Sequence, residues 1–170
     1  MKKIFVDWDG LKLDDFLNNL EVYLDFEKRI NVKEVKFFQT NHGYHLKIYL
    51  EKSISMLQNL EYRAALRDDK NRINLSLLKY YISGNLRDFD VLFNMKNGIW
   101  EKDYTQQFLK ILNYISNIPE DTPNEEVIKN LVKQKLIRTG RSNETIYITL
   151  QNNKVKKFKQ TKTKRWSIIT

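Results

Sequence analysis

The chain has 170 residues, no cysteine and a formal net charge of +9. That length suits one domain with a proper core, or a core domain with a small appendage. The missing cysteines exclude a disulfide framework and any thiolate metal site, and no apolar stretch is long enough for a signal peptide or membrane span, so a soluble, cytoplasmic protein is expected.

The charge is unevenly spread. From Gln151 onward the basic residues are Lys154, Lys156, Lys157, Lys159, Lys162, Lys164 and Arg165, with no acid among them. That leaves a net +2 for the preceding 150 residues, so the body is close to neutral and carries a basic tail. Such a tail favours a polyanionic partner.

In chain order, Ile4 to Gly10 reads as a short strand whose far end carries Asp7 and Asp9. Alternate residues of a strand share a face, so the two carboxylates stand side by side. Their repulsion is relieved by a divalent cation or by a raised pKa; the plainer alternative is a strand end running into a polar turn. Leu13, Phe16, Leu17, Leu20 and Leu24 fall at helical spacing and predict a helix from about Leu11 to Arg29, with Asp14 and Asp15 suiting its first turn. Val32 to Thr40 and Tyr44 to Glu51 read as strands joined by the turn Asn41-His42-Gly43.

Ser53 is the expected cap of a helix carrying Leu57, Leu60 and Ala64. Arg67-Asp68-Asp69 interrupts it, a second helical run carries Leu75, Leu78 and Ile82, and Ser83-Gly84-Asn85 stops that. Asp88 to Asn94 reads as a strand, with Phe89, Val91 and Phe93 on one face and Asp90, Leu92 and Asn94 on the other.

The order strand, helix, strand, strand, helix, strand predicts an α+β fold. Specifically, it is the split βαβ arrangement of ferredoxin-like and RNA-recognition-type domains, an antiparallel sheet with helices on one face. The first and third strands are then central, and the fourth flanks the first. Asp7 and Asp9, His45, and Asp88 and Asp90 converge on one corner. Helices are expected over Val6, Leu46, Ile48 and Phe89, leaving Asp7, Asp9, His45, Lys47, Tyr49 and Asp90 on the other face.

Residues 1–98 form this core, and 99–170 a helical segment with a hairpin and the basic tail. Phe108, Ile111, Leu112 and Ile115 mark a helix closed by Pro119. Thr122-Pro123-Asn124-Glu125 reads as a capping box opening a helix to about Ile137. After a turn at Thr139-Gly140, Thr145 to Leu150 and Lys154 to Phe158 are expected to pair around Asn152-Asn153. A helical cover with a solvated basic tail is the first reading of this segment, and a winged helix the alternative.

Three carboxylates and an imidazole at a sheet corner suit metal-assisted phosphoryl transfer, since carboxylate oxygens are the preferred ligands of Mg²⁺ and Mn²⁺. Asp7-Trp8-Asp9 in a first strand, Thr40-Asn41-His42-Gly43-Tyr44-His45 at a hairpin and Asp90 on a later strand resemble the motifs of the archaeo-eukaryotic primase (primase-polymerase) superfamily. Thr40 stands at the place of that family's Ser, Gly43 at its Gly and His45 at its His. Leu66-Arg67-Asp68-Asp69 followed by Arg72 is similar to a segment of small archaeal relatives.

The resemblance covers about Ile4 to Asn94 and implies a minimal plasmid- or virus-type nucleotidyltransferase acting in DNA replication. It implies Asp7, Asp9 and Asp90 as catalytic ligands of Mg²⁺ or Mn²⁺, and His45 at the incoming nucleoside triphosphate, with Thr40, Lys47 and Arg72 as further nucleotide-binding residues. The family's αβ module ahead of the Asp-x-Asp strand has no counterpart before Ile4. Substrate grip is therefore expected from the C-terminal helices and from Lys154 to Arg165, holding DNA or RNA backbone with strongly salt-dependent affinity.

Three rival readings stay open. Asp7-Trp8-Asp9-Gly10 also resembles the start of haloacid-dehalogenase-type phosphatases, although Leu11 replaces the expected Thr. A rolling-circle replication endonuclease would use His42 and His45, with Tyr80 or Tyr81 as nucleophile. A non-catalytic RNA-recognition-type module would stack bases on Tyr49 and other aromatics.

Overall fold

The computed structural model describes residues 1–82, 89–96, 98–139, 146–148, 158–160 and 166–168. The chain forms two compact units: Met1–Gly10 with Glu21–Asp103, and Leu11–Leu20 with Tyr104–Thr170.

In the first unit, β1 (Lys3–Asp9) alternates as expected, and Ile4, Val6 and Trp8 are buried. It pairs antiparallel with β3 (Gly43–Leu50), setting Val6 opposite Leu46, Asp7 opposite His45 and Asp9 opposite Gly43. β3 pairs in turn with β2 (Val32–Gln39), which carries the two-residue strand β6 (Lys102–Asp103) on its other side. The sheet order is therefore β1-β3-β2-β6, α+β with an antiparallel sheet. Val35, Phe37, Leu46, Ile48 and Leu50 join Ile4, Val6 and Trp8 in its core. Each such side chain removed from water is worth about 1.5–3 kcal/mol.

The β2–β3 turn is fixed locally. Thr40 donates its backbone N–H to the Gly43 carbonyl (2.8 Å), and its Oγ1 accepts from Gly43 N (3.0 Å). Gly43 is the only residue type this position admits without a shift of backbone. A Cβ there would run into the Trp8 carbonyl and lie 2.8 Å from both the Asp9 Cα and its Oδ1.

Helix α1 (Leu13–Arg29) has Asp14 and Asp15 in its first turn and Lys28 and Arg29 in its last, both favourable to the helix dipole. Its Tyr23 and Phe26 are buried, and Phe26 meets Tyr62 edge to face. Helix α2 (Met56–Ala65) is capped by Ser55 in a reciprocal box with Gln58, two residues later than the expected Ser53. Ser53 accepts from the N-terminal amine (2.9 Å) instead.

Arg67 ends α2 in the left-handed region (φ 60°), with Arg67 N bonded to Ala64 O and Asp68 N to Arg63 O. This reversal turns Asp68 back toward β1. Asp69 then caps α3 (Lys70–Ile82) by accepting from the N–H groups of Asn71 and Arg72. The periodicity placed Leu75, Leu78 and Ile82 on the inner face of α3, yet all three are more than half exposed. The buried side is the opposite one: Ile73, Leu77 and Tyr80 pack on a small core of Met56, Leu60 and Phe89.

The expected fourth strand is not formed. Among the described residues, Phe89 to Asn94 make no ladder, β1 is an edge strand, and the chain first pairs again in the hairpin β4 (Met95–Lys96) and β5 (Ile99–Trp100). The physical reason lies in the burial pattern. Phe89, Asp90 and Leu92 are all buried, which an alternating strand cannot do on one face. Asp88 and the stop Ser83-Gly84-Asn85 lie outside the described residues.

In the second unit, α4 (Thr105–Asn117) buries Phe108, Ile111 and Leu112, and α5 (Asn124–Lys133) buries Val127, Ile128 and Leu131. The capping box expected at Thr122 is absent: α5 has no side-chain cap, and Thr122 Oγ1 donates to the Pro119 carbonyl (2.7 Å). α5 also ends earlier than Ile137. That residue begins β7 (Ile137–Thr139), which pairs antiparallel with β8 (Ile146–Ile148). β9 (Phe158–Gln160) pairs with β10 (Trp166–Ile168). Of the expected hairpin, Thr145, Thr149, Leu150 and Lys154 to Lys157 lie outside the described residues, and among the described ones Ile146 to Ile148 pair with β7 and Phe158 with Ile168. No helix among the described residues is long and apolar enough to cross a membrane.

Candidate functional site

The outer edge of β1, where a fourth strand would have paired, is closed by side chains. Asp90 Oδ2 accepts from Phe5 N, and Asp68 Oδ1 from Asp7 N, both at 2.8 Å. Arg72 Nη1 donates to Phe5 O (3.2 Å) and Asn59 Nδ2 to Lys3 O (3.0 Å). Backbone groups left bare on an edge need such partners or water.

The closing residues are themselves tied together. Arg63, fully buried, donates to Asp68 Oδ2 (2.8 Å) and to Ser76 Oγ (2.8 Å), and Arg72 spans Asp68 (2.5 Å) and Asp90 (3.0 Å). Asn59 also donates to Asp90 (2.9 Å). Buried charges persist only when paired and hydrogen-bonded in this way.

This network changes the place of Asp90. Its carboxylate is buried and is taken up by Phe5 N–H, Asn59 and Arg72, and it does not line the cavity that Asp7 and Asp9 face. Among the described residues, no cluster of three or more His, Asp or Glu is arranged to hold a metal. Asp7 and Asp9 stand as a pair.

That pair lies on a cavity of about 600 Å³ with two contrasting walls. Asp7, Asp9, Thr40, His45, Arg72 and Lys79 contribute a polar side, and Leu75, Phe89, Leu92, Phe93, Met95 and Ile99 an apolar one. Burial and the adjacent Asp9 carboxylate push the Asp7 carboxyl from 3.8 up to about 7, against partial relief from the Arg72 guanidinium. Asp7 Oδ1 is buried without a hydrogen-bond partner.

His45 faces Asp7 across the strand pair, its Nε2 3.7 Å from Asp7 Oδ1, beyond hydrogen-bonding distance. Its other ring nitrogen, Nδ1, lies 2.7 Å from Glu101 Oε2, and Lys47 Nζ meets Glu101 Oε1 at 2.5 Å. Burial lowers the His45 pKa below its usual 6.5, although the Glu101 hydrogen bond and charge work in the opposite direction.

Lys47 is withdrawn from the nucleotide-binding role expected for it. It is buried, bonded to Glu101 and Asn94, over the Phe38 ring, and it does not line the cavity. Tyr49 is no open stacking platform either, since it is half-buried and packed edge to face on Phe5. Tyr80 and Tyr81 sit on α3 with their rings against each other.

Thr40 and Arg72 do line the cavity, with Thr40 Oγ1 committed to its own turn and Arg72 to the β1 edge. Lys154, Lys156, Lys157, Lys162, Lys164 and Arg165 lie outside the described residues, and Lys159 is on β9.

Sequence reasoning did not single out Glu101, Asn59 or Ser76. Asn59 and Ser76 are polar residues at helix positions that face inward, a recognisable signal once the helix phase is known. Glu101 carries no local signal, because only the fold-back of the β4–β5 hairpin brings it to β3. Comparison of the chain with known protein families, with curated proteins and with solved structures returns no match.

Proposed function

We propose that the chain is a primase-polymerase-like nucleotidyltransferase, binding a nucleoside triphosphate with Mg²⁺ or Mn²⁺ in the cavity beside β1 and adding it to a nucleic-acid start site or primer. The observation that carries this reading is the Asp7–Asp9 pair: a buried carboxylate oxygen without a partner, next to a second carboxylate, on the wall of a cavity of nucleotide size. Those donors fit a divalent cation, which removes both the repulsion and the unmet acceptor. When bound, such a cation supplies Lewis-acid stabilisation of the phosphoryl oxygens.

The chain's own residues divide the remaining work. The exposed apolar wall of Leu75, Phe93, Met95 and Ile99 suits a base, while Arg72 and Lys79 add positive charge to the cavity lining. Asp90 serves as an anchor of the β1 edge through Phe5 N–H and Arg72, which fixes where Asp7 stands. The finer fold reading, an RNA-recognition-like core, is supported by the succession β1-α1-β2-β3 and the order β1-β3-β2. Nucleic acid is held by the basic tail in this reading.

The commitment of Asp90 to Arg72 favours a second reading, a nucleic-acid-binding module of the same fold that performs no transfer. Primer synthesis and extension with Mn²⁺ separates the two. Incorporation that disappears in the Asp7→Ala/Asp9→Ala double variant supports the enzyme. DNA binding without incorporation, unchanged in that variant, selects the module.

A further inference from the structure

Glu101 is held by two side chains of β3. Its Oε1 accepts from Lys47 Nζ at 2.5 Å and its Oε2 from His45 Nδ1 at 2.7 Å, and all three side chains are less than a tenth exposed. A carboxylate paired with an ammonium is ionised and accepts only, so the hydrogen between Glu101 and His45 belongs to Nδ1. A neutral imidazole has one ring hydrogen. With Nδ1 carrying it, Nε2 is a bare acceptor.

Among the described residues, no hydrogen bond to that acceptor is formed. Asp7 Oδ1, its nearest acidic neighbour, is 3.7 Å away, and His45 lines the same cavity as Asp7 and Asp9. A bare ring nitrogen repels phosphate oxygens, which have only lone pairs to offer. It attracts a group that brings its own hydrogen.

We propose that Glu101, itself fixed by Lys47, is the positioning residue that presents His45 Nε2 as an acceptor to a sugar hydroxyl of the bound nucleotide, instead of as a donor to its phosphates. This rests on the nucleotide reading of the cavity for the identity of the ligand, and on the side-chain geometry alone for the state of His45. Asn94, which accepts from Lys47 Nζ at 3.0 Å, completes the support from the loop ahead of β4.

The chain contains two histidines, His42 and His45, so ring-¹⁵N spectra of the full-length protein at pH 8 can be assigned with one His42→Gln variant. His45 is expected as the Nδ1–H tautomer in the wild type, retained in Glu101→Gln, whose amide oxygen still accepts, and shifted toward Nε2–H in Glu101→Ala. Calorimetry with Mg²⁺ then compares a ribonucleoside triphosphate with its 2′-deoxy and 3′-deoxy analogues. Loss of the contacted hydroxyl weakens wild-type binding about tenfold, a net hydrogen bond of about 1.4 kcal/mol. Glu101→Ala binds all three alike.

An Nε2–H tautomer in the wild type overturns the positioning role. Equal affinity of the wild type for all three nucleotides overturns the hydroxyl contact. Triphosphates that do not bind at all, with the tautomers as expected, sink the nucleotide reading and the hydroxyl with it, while the Glu101–His45 arrangement stands. Should Glu101→Ala fail to fold, the wild-type tautomer and the wild-type nucleotide series decide on their own.

Discussion

Asp7→Asn isolates the electrostatic tension at the end of β1. In the metal-free protein the Asp7 carboxyl titrates near 7 instead of near 3.8 because burial and the Asp9 charge oppose its ionisation. Between pH 4 and 7 the native chain therefore keeps a proton that the unfolded chain has released, and stability falls as pH rises through that window. Raising that carboxyl from 3.8 to about 7 corresponds to about 4 kcal/mol, expressed above pH 7 and absent below pH 4. Asparagine is neutral throughout, and its amide donates to Asp9 as the protonated acid does.

Urea unfolding of both proteins at a series of pH values, in the presence of chelator, measures the difference directly, and groups that titrate alike in both cancel. The two are expected to be nearly equal in stability at pH 4, with Asp7→Asn pulling ahead by about 4 kcal/mol at pH 8. Saturating Mn²⁺ narrows that gap by stabilising the wild type alone. A gap that stays constant from pH 4 to pH 8 would refute the reasoning, because it would mean that Asp7 ionises in the folded chain as it does in water.

Other substitutions probe the surrounding structure. Asp68→Ala leaves the Arg63 guanidinium buried without its carboxylate and uncaps Asp7 N–H, so a loss of about 3–5 kcal/mol is expected in chemical denaturation. A loss below 1 kcal/mol would show that the network is dispensable. Gly43→Ala drives a Cβ against the Trp8 carbonyl and the Asp9 carboxylate. It should lower stability by about 1–3 kcal/mol and weaken Mn²⁺ binding measured by electron paramagnetic resonance, and unchanged values of both would contradict the packing. Lys135 follows α5 in the left-handed region (φ 59°), where glycine fits without a Cβ penalty. Lys135→Gly should raise the thermal midpoint, with a gain of up to about 1 kcal/mol, and a fall would argue against that helix end.

Much of the local structure was written in short-range pattern. The alternation of Ile4, Val6 and Trp8, the Asn41-His42-Gly43 turn and the break at Arg67-Asp68-Asp69 each depend on neighbours a few residues apart, and each element forms where expected. The antiparallel pairing of the first and third strands, expected from the order of elements, sets Asp7 opposite His45, so half of the candidate site was legible from the residues alone. The phase of α3 was not, because its apolar residues surround much of the helix and only the small core around Phe89 selects Ile73 and Leu77 over Leu75 and Leu78.

The fate of Asp90 marks the boundary more sharply. Its motif position beside an apolar residue is the same whether it faces a metal or a backbone edge. What decides is the pair of arginines that α2 and α3 bring alongside β1, since a buried carboxylate is stabilised by the nearest guanidinium it can reach. Glu101 is the converse case, silent in sequence because its partners His45 and Lys47 are more than fifty residues away. The sequence by itself determined the β1 carboxylate pair and its strand partner; only the tertiary structure decided which charges neutralise which. Hydrophobic periodicity is local, whereas the pairing of buried charges depends on contacts between distant segments.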